Sequence, residues 1–265
     1  MTDRLAEMFA RTRAEGRPAV MPFLPAGWPE LHDTVRLVEA AIEGGADAFE
    51  IGMPFSDPLG DGPVNQVAYT QAIANGCTTE TVFDAVRTLR ARGIRATLLV
   101  MGYFNTILAH GLERFVRDAK SAGVDGFIVV DLPPQEAGEL EPLVKAAGLH
   151  MVYLLPPTAT PDRIRLIAGH ASGFIYCVGF VGITGERAEV SSELPGLLAR
   201  VREQTDLPLA VGFGISRHEH VRAVGELAEG VVVGSAFVRS VAEASSEERP
   251  AAARRFLEEI TGRVS

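Results

Sequence analysis

What most constrains this chain is a pattern that recurs eight times. A short apolar or β-branched run stops at Gly, Pro or Asp and is followed by a segment with helical spacing of its apolar residues. The runs fall at 19–24, 48–51, 97–101, 126–130, 151–155, 174–178, 207–213 and 230–233. The helical segments fall at 31–43, 79–92, 112–121, 135–147, 161–168, 193–204, 218–227 and 236–244, with a long loop before the second. The runs are continuously apolar rather than alternating, as expected of parallel strands covered on both faces. Eight strand–helix units, each about 30 residues long, fit a closed (β/α)8 (TIM) barrel better than an open doubly wound sheet. Leu5, Met8 and Phe9 share one helical face near the N-terminus, and a last helix is expected over 250–261. The expectation is therefore one barrel domain, 1–265, with an extra helix at each end.

Composition narrows the function classes. The net charge is −9 and no basic run of five or more residues occurs, which disfavours nucleic acid as a partner. No apolar run approaches the roughly 18 residues of a membrane span. The two cysteines, Cys77 and Cys177, show no C-x-x-C spacing, which favours a reducing compartment over a disulfide or zinc framework. The N-terminal arginines resemble a transit peptide, but Asp3, Glu7 and Glu15 argue for an amphipathic helix instead. A cytoplasmic protein is expected.

In such a barrel, chemistry belongs at the C-terminal ends of the strands. Glu50 interrupts the second apolar run, and the pleat directs it away from Phe49 and Ile51, toward the barrel mouth. A carboxyl there, among apolar neighbours, is expected to have a raised pKa. The following loop, residues 53–63, carries Asp57 and Asp61. Either can be a turn cap, and one close to Glu50 would give a pair of carboxyls in contrasting environments. Gly212-Phe-Gly214-Ile-Ser216 and Gly234-Ser235-Ala236 end the seventh and eighth runs, where backbone N–H groups and a helix start can hold a phosphate. Gly179-Phe-Val-Gly182-Ile-Thr-Gly185 reads as a mobile lid. Asp131 is a cap or a site residue, and Tyr176 points into the mouth or into the core. Trp28 is read as loop packing. His218 and His220 lack the spacing of ligands on one helix face, so no metal site is expected.

From residue 49 to residue 63 the chain resembles the tryptophan synthase alpha chain family. The likeness extends over Pro22-Phe23, Gly44-Gly45-Ala46-Asp47, Asp131-Leu-Pro, Pro156-Pro157-Thr158, Gly182-Ile-Thr-Gly185, Gly212-Phe-Gly-Ile-Ser216 and Gly234-Ser235. The resemblance implies a lyase that cleaves indole-3-glycerol phosphate by a retro-aldol step into indole and glyceraldehyde 3-phosphate. It places the catalytic carboxyls on Glu50 and Asp61, with Tyr176 beside them and Thr184 orienting Asp61. Phe23, Met101, Ile128 and Phe213 would flank the ring, and Gly185, Gly214, Gly234 and Ser235 would hold the phosphate. No metal or organic cofactor is implied. A beta chain that carries pyridoxal phosphate is the implied partner, in an α2β2 tetramer, with Pro54 and Asp57 near the interface. Gly179, Val181 and Asn65 depart from the usual pattern, Asn65 standing where an aliphatic residue is common. A freestanding lyase releasing indole, a sugar-phosphate isomerase or epimerase, and a noncatalytic activator are the competing readings. The apolar ring pocket beside two carboxyls disfavours the isomerase, and the intact pair disfavours the activator.

Overall fold

A computed structural model describes residues 3–178, 181–184, 187–190, 193–212 and 214–263. In chain order the strands are β1 (Ala19–Pro25), β2 (Ala48–Gly52), β3 (Thr97–Gly102), β4 (Gly126–Val129), β5 (His150–Leu155) and β6 (Ile175–Val178). They are followed by β7 (Val181–Thr184), β8 (Arg187–Val190), β9 (Leu209–Gly212) and β10 (Gly230–Val233). β1 to β6, β9 and β10 close into a parallel barrel in which β10 pairs with β1. The helices are α1 (Arg4–Ala14), α2 (Asp33–Glu43), α3 (Pro63–Ala74), α4 (Thr79–Ala91), α5 (Phe104–His110) and α6 (Leu112–Ala122). The remainder are α7 (Leu140–Ala146), α8 (Pro161–His170), α9 (Leu194–Arg202), α10 (His218–Gly225), α11 (Ser235–Ala242) and α12 (Arg249–Thr261). All eight expected strands and the terminal helices are present.

Four stretches differ from the sequence expectation. The long loop after β2 contains α3, which starts with Pro63 at its first turn. Its buried face is Asn65, Ala68, Tyr69 and Ala72, while Val67 and Ile73 face outward, so apolar residues on both sides blur the helical period. The seven-residue α5 is too short to display a period. The helix expected over 135–147 splits into a 3-10 turn at Pro134–Glu136 and α7, with Gly138 between them. The segment read as a mobile lid contains an antiparallel ribbon, in which Val181 pairs with Val190 and Thr184 with Arg187, a detail the sequence reading does not specify. The apolar alternation of Val181 and Ile183 is the sequence signature of that ribbon.

Two core layers follow from the pleat. Phe49, Ile51, Leu98 and Val100 belong to the shell between strands and helices. Ala48, Leu99, Ile128, Val152, Tyr176, Ala210 and Val232 fill the barrel itself, and Leu5, Met8 and Phe9 of α1 join this inner cluster from below. Burying each of those three side chains contributes about 1.5–3 kcal/mol. Asp3 caps α1 by accepting from the Ala6 N–H at 3.0 Å. Two acids then pin the helix to the barrel. Asp47 accepts from Arg17 at 2.6 and 2.9 Å, from Arg11 at 2.7 Å and from the Val20 N–H at 3.0 Å. Asp125 accepts from Arg4 at 2.8 Å, Arg90 at 2.6 Å and the Leu98 N–H at 2.8 Å. Burial pushes the Asp47 carboxyl up, but the Arg17 and Val20 hydrogen bonds outweigh it and hold it below the usual range.

Candidate active site

Glu50 has Ala48 two residues before it, and Ala48 lies in the inner cluster. The strand period therefore sends the Glu50 side chain inward. Its register neighbours are Phe23 of β1 and Leu99 of β3. The residue is 0% exposed, and neither carboxyl oxygen has a hydrogen-bond partner among the described residues. Burial alone pushes this carboxyl well above the usual glutamate value, because the charged form has lost its water with no donor to replace it.

Asp61 is built differently. Its Oδ2 accepts from the Tyr103 hydroxyl at 2.7 Å, and its Oδ1 from Asn65 Nδ2 at 3.1 Å. The Tyr103 hydroxyl itself accepts from the Gly60 N–H at 3.0 Å, so its single proton is directed at Asp61. Burial raises the Asp61 pKa, and the Tyr103 and Asn65 bonds oppose it. The expected contrast of environments is thus not one of burial, since both acids are pushed upward. It lies in hydrogen bonding: both Asp61 oxygens act as acceptors, which suits the ionised form, while Glu50 has nothing to stabilise its charge.

The interior face carries the expected ring neighbours. Phe23 lies against Gly52, where an added Cβ would come within 2.8 Å of the Phe23 ring. Met101 and Ile128 are register partners on β3 and β4. Tyr176 points inward with its hydroxyl over Gly212, where any Cβ would collide with it. At the mouth, Gly214 has φ +74, a conformation that favours glycine. Gly234 precedes α11, whose first residue is Ser235, so the leading N–H groups of that helix face the mouth. Phe213, Gly185 and the Thr184 side chain lie outside the described residues.

Other candidates find structural places. Asp131 is exposed and accepts from the Phe104 N–H at 2.7 Å, capping α5. Trp28 is buried and donates to Gln71 at 2.9 Å, fastening α3 to the loop after β1. His218 bonds the Ile260 carbonyl at 3.1 Å, and His220 accepts from the Ser216 N–H at 3.3 Å. Pro54 is half-buried and Asp57 exposed on the rim, next to Leu59, which is 90% exposed. Tyr103 and Asn65, which bond Asp61, and Tyr69, whose hydroxyl lies beside Gly52 and the Phe23 ring, are site residues that the sequence reading does not assign. Tyr103 directly follows β3, just past the third apolar run and Gly102, a position that marks the mouth; the other two lie on α3. A groove of about 420 Å³ opens at the opposite barrel end beside Lys120, Lys145, His150 and His170. There His150 meets Asp3 and His170 meets Glu141, each at 3.0 Å.

A buried carboxyl without a hydrogen-bond partner among the described residues, and a second carboxyl whose two oxygens both accept hydrogen bonds, fit the mouth of an acid–base enzyme of the (β/α)8 class. Comparison with known proteins narrows this class. A sequence profile described as tryptophan synthase alpha chain matches residues 9–262. The tryptophan synthase alpha chain of Roseiflexus sp. (strain RS-1) is 48% identical, over 98% of this chain and 99% of that one. The solved tryptophan synthase subunit alpha from Legionella pneumophila superposes with a TM-score of 0.90 at 33% identity, covering 99% and 98% of the two chains. A tryptophan synthase structure from M. tuberculosis gives 0.88 at 30% identity, with 100% of each chain covered. The chain belongs to the tryptophan synthase alpha chain family, and its role is that of a lyase subunit in tryptophan biosynthesis.

Proposed function

We propose that Glu50 and Asp61 carry the cleavage of indole-3-glycerol phosphate to indole and glyceraldehyde 3-phosphate. The observation that carries this reading is the buried, unpartnered Glu50 carboxyl, which burial holds toward its protonated form. Glu50 delivers its proton to C3 of the indole ring. Positive charge then develops on the ring nitrogen, whose N–H donates to ionised Asp61. The Glu50 carboxylate takes the proton of the side-chain hydroxyl. The O–H electrons become the aldehyde C=O, the carbon–carbon bond breaks, and its electrons restore the aromatic ring. Glu50 ends protonated again, so the cycle closes.

Phe23, Met101, Ile128, Tyr176, Thr184 and Phe213 form the ring slot in this reading. Gly185, Gly214, Gly234 and Ser235 grip the phosphate, supported by the Gly214 conformation and the start of α11. That grip is binding energy remote from the breaking bond, and it sets the bond's position. The beta chain docks on the mouth, with Pro54 and Asp57 at the contact and the exposed Leu59 beside them. One domain, 1–265, does this work in the cytoplasm; no described helix is long and apolar enough to cross a membrane.

The test is Glu50→Gln, which keeps shape and removes the proton donor. Turnover of indole-3-glycerol phosphate should fall by about 10²–10⁴-fold or more, with substrate affinity within a few-fold. Full activity in that variant would remove Glu50 from the reaction.

A further inference from the structure

Asn65 sits in the first turn of α3, four residues after Asp61, and is 8% exposed. A carboxylate offers acceptors only, so the amide must turn its NH2 group toward Asp61 Oδ1, as the 3.1 Å contact has it. That leaves Asn65 Oδ1 facing away. This oxygen is buried and has no hydrogen-bond partner among the described residues. An unpaired buried acceptor costs about 1–3 kcal/mol, a cost that a hydroxyl donor on a bound substrate would offset. The surroundings say where that donor comes from. A Cβ at Gly234 would lie 3.9 Å from Asn65 Nδ2 and 4.0 Å from Phe23 Cδ1. The carboxamide's NH2 group therefore lies beside both Asp61 and the turn that opens α11. A substrate with its ring nitrogen on Asp61 and its phosphate at Gly234 and Ser235 must run its glycerol chain past this group.

We propose that Asn65 both positions Asp61 and determines specificity: its NH2 group fixes the Asp61 carboxylate, and its Oδ1 accepts a hydrogen bond from a hydroxyl of the substrate's glycerol chain. The inference rests on the reading of Asp61 as the acceptor for the ring N–H. The other titratable groups around Asp61 are Tyr103, Tyr69, Tyr176 and Glu50, each pushed upward by burial. As pH falls, Asp61 is therefore the group in this set that loses its active, ionised form. Removing a donor to that form moves the loss to higher pH.

The experiment compares Asn65→Leu, and Asn65→Ala should the leucine variant fold poorly, with the natural protein and with Asp61→Asn. It uses indole-3-glycerol phosphate and a substrate analogue that carries a plain propyl phosphate chain without hydroxyls. For the Asn65 variants, KM for the substrate should rise about tenfold, as expected for one lost hydrogen bond. The inhibition constant of the hydroxyl-free analogue should change less than twofold. The acid limb of kcat/KM should move upward in pH. Equal losses for both compounds would overturn the hydroxyl contact, and an unmoved acid limb would overturn the positioning of Asp61. Should Asp61→Asn keep full turnover, the underlying reading of Asp61 fails. The analogue comparison still decides the hydroxyl contact by itself.

Discussion

At the scale of single residues, the site holds a group that works against the stability of its own fold. Glu50 is buried with no donor, so its folded-state pKa lies above its unfolded value. Below the unfolded pKa both states carry the proton and no penalty exists. As pH rises past about 4.5, the unfolded chain releases the proton and the folded one keeps it, so stability falls with pH until the folded pKa is reached. Glu50→Gln should therefore unfold at a higher temperature than the natural protein at pH 7, with the difference vanishing near pH 4. A melting series across that range checks this, and equal midpoints at pH 7 would show that the carboxyl is stabilised there by something else. Stability given up at a reacting group is common in enzymes. Glu50 was legible in the sequence because an acid amid Phe49 and Ile51 breaks the apolar rule and the pleat fixes its direction. The partners of Asp61 were not, because hydrogen bonds across 42 residues, as between Tyr103 and Asp61, leave no periodic trace.

At the scale of elements, eight strands were legible because each is covered on both faces and so reads as an unbroken apolar run. α3 was hidden by the reverse effect. Its buried side packs on the barrel, and its outward side keeps Val67 at 68% and Ile73 at 41% exposed. Such faces invite a covering surface, and one more exposed apolar side chain, Leu59, lies on the same rim. Leu59→Ser should leave basal turnover unchanged and reduce stimulation by a cognate beta chain several-fold; unaltered stimulation would move the interface elsewhere. At the other barrel end the element at stake is α1, tied down by Asp47 and Asp125. Asp47→Ala strands Arg17 and the Val20 N–H, and should cost about 3 kcal/mol in unfolding measurements while the mouth keeps its activity. Because the folded Asp47 pKa is lowered, its contribution is present above the unfolded value near pH 4. It is lost as pH falls through the folded pKa.

For the whole molecule, the two barrel ends divide the labour. The candidate site residues gather at the strand C-termini, and the ion pairs of Asp47 and Asp125 hold the N-terminal end. α1 sets Leu5, Met8 and Phe9 into the base of the barrel, beneath the layer that holds Ala48 and Leu99. A vessel stoppered at one end empties at the other. If indole forms beside Glu50, as proposed above, it must leave by the doorway through which its precursor entered. A partner docked at that threshold, as proposed, would meet the product first.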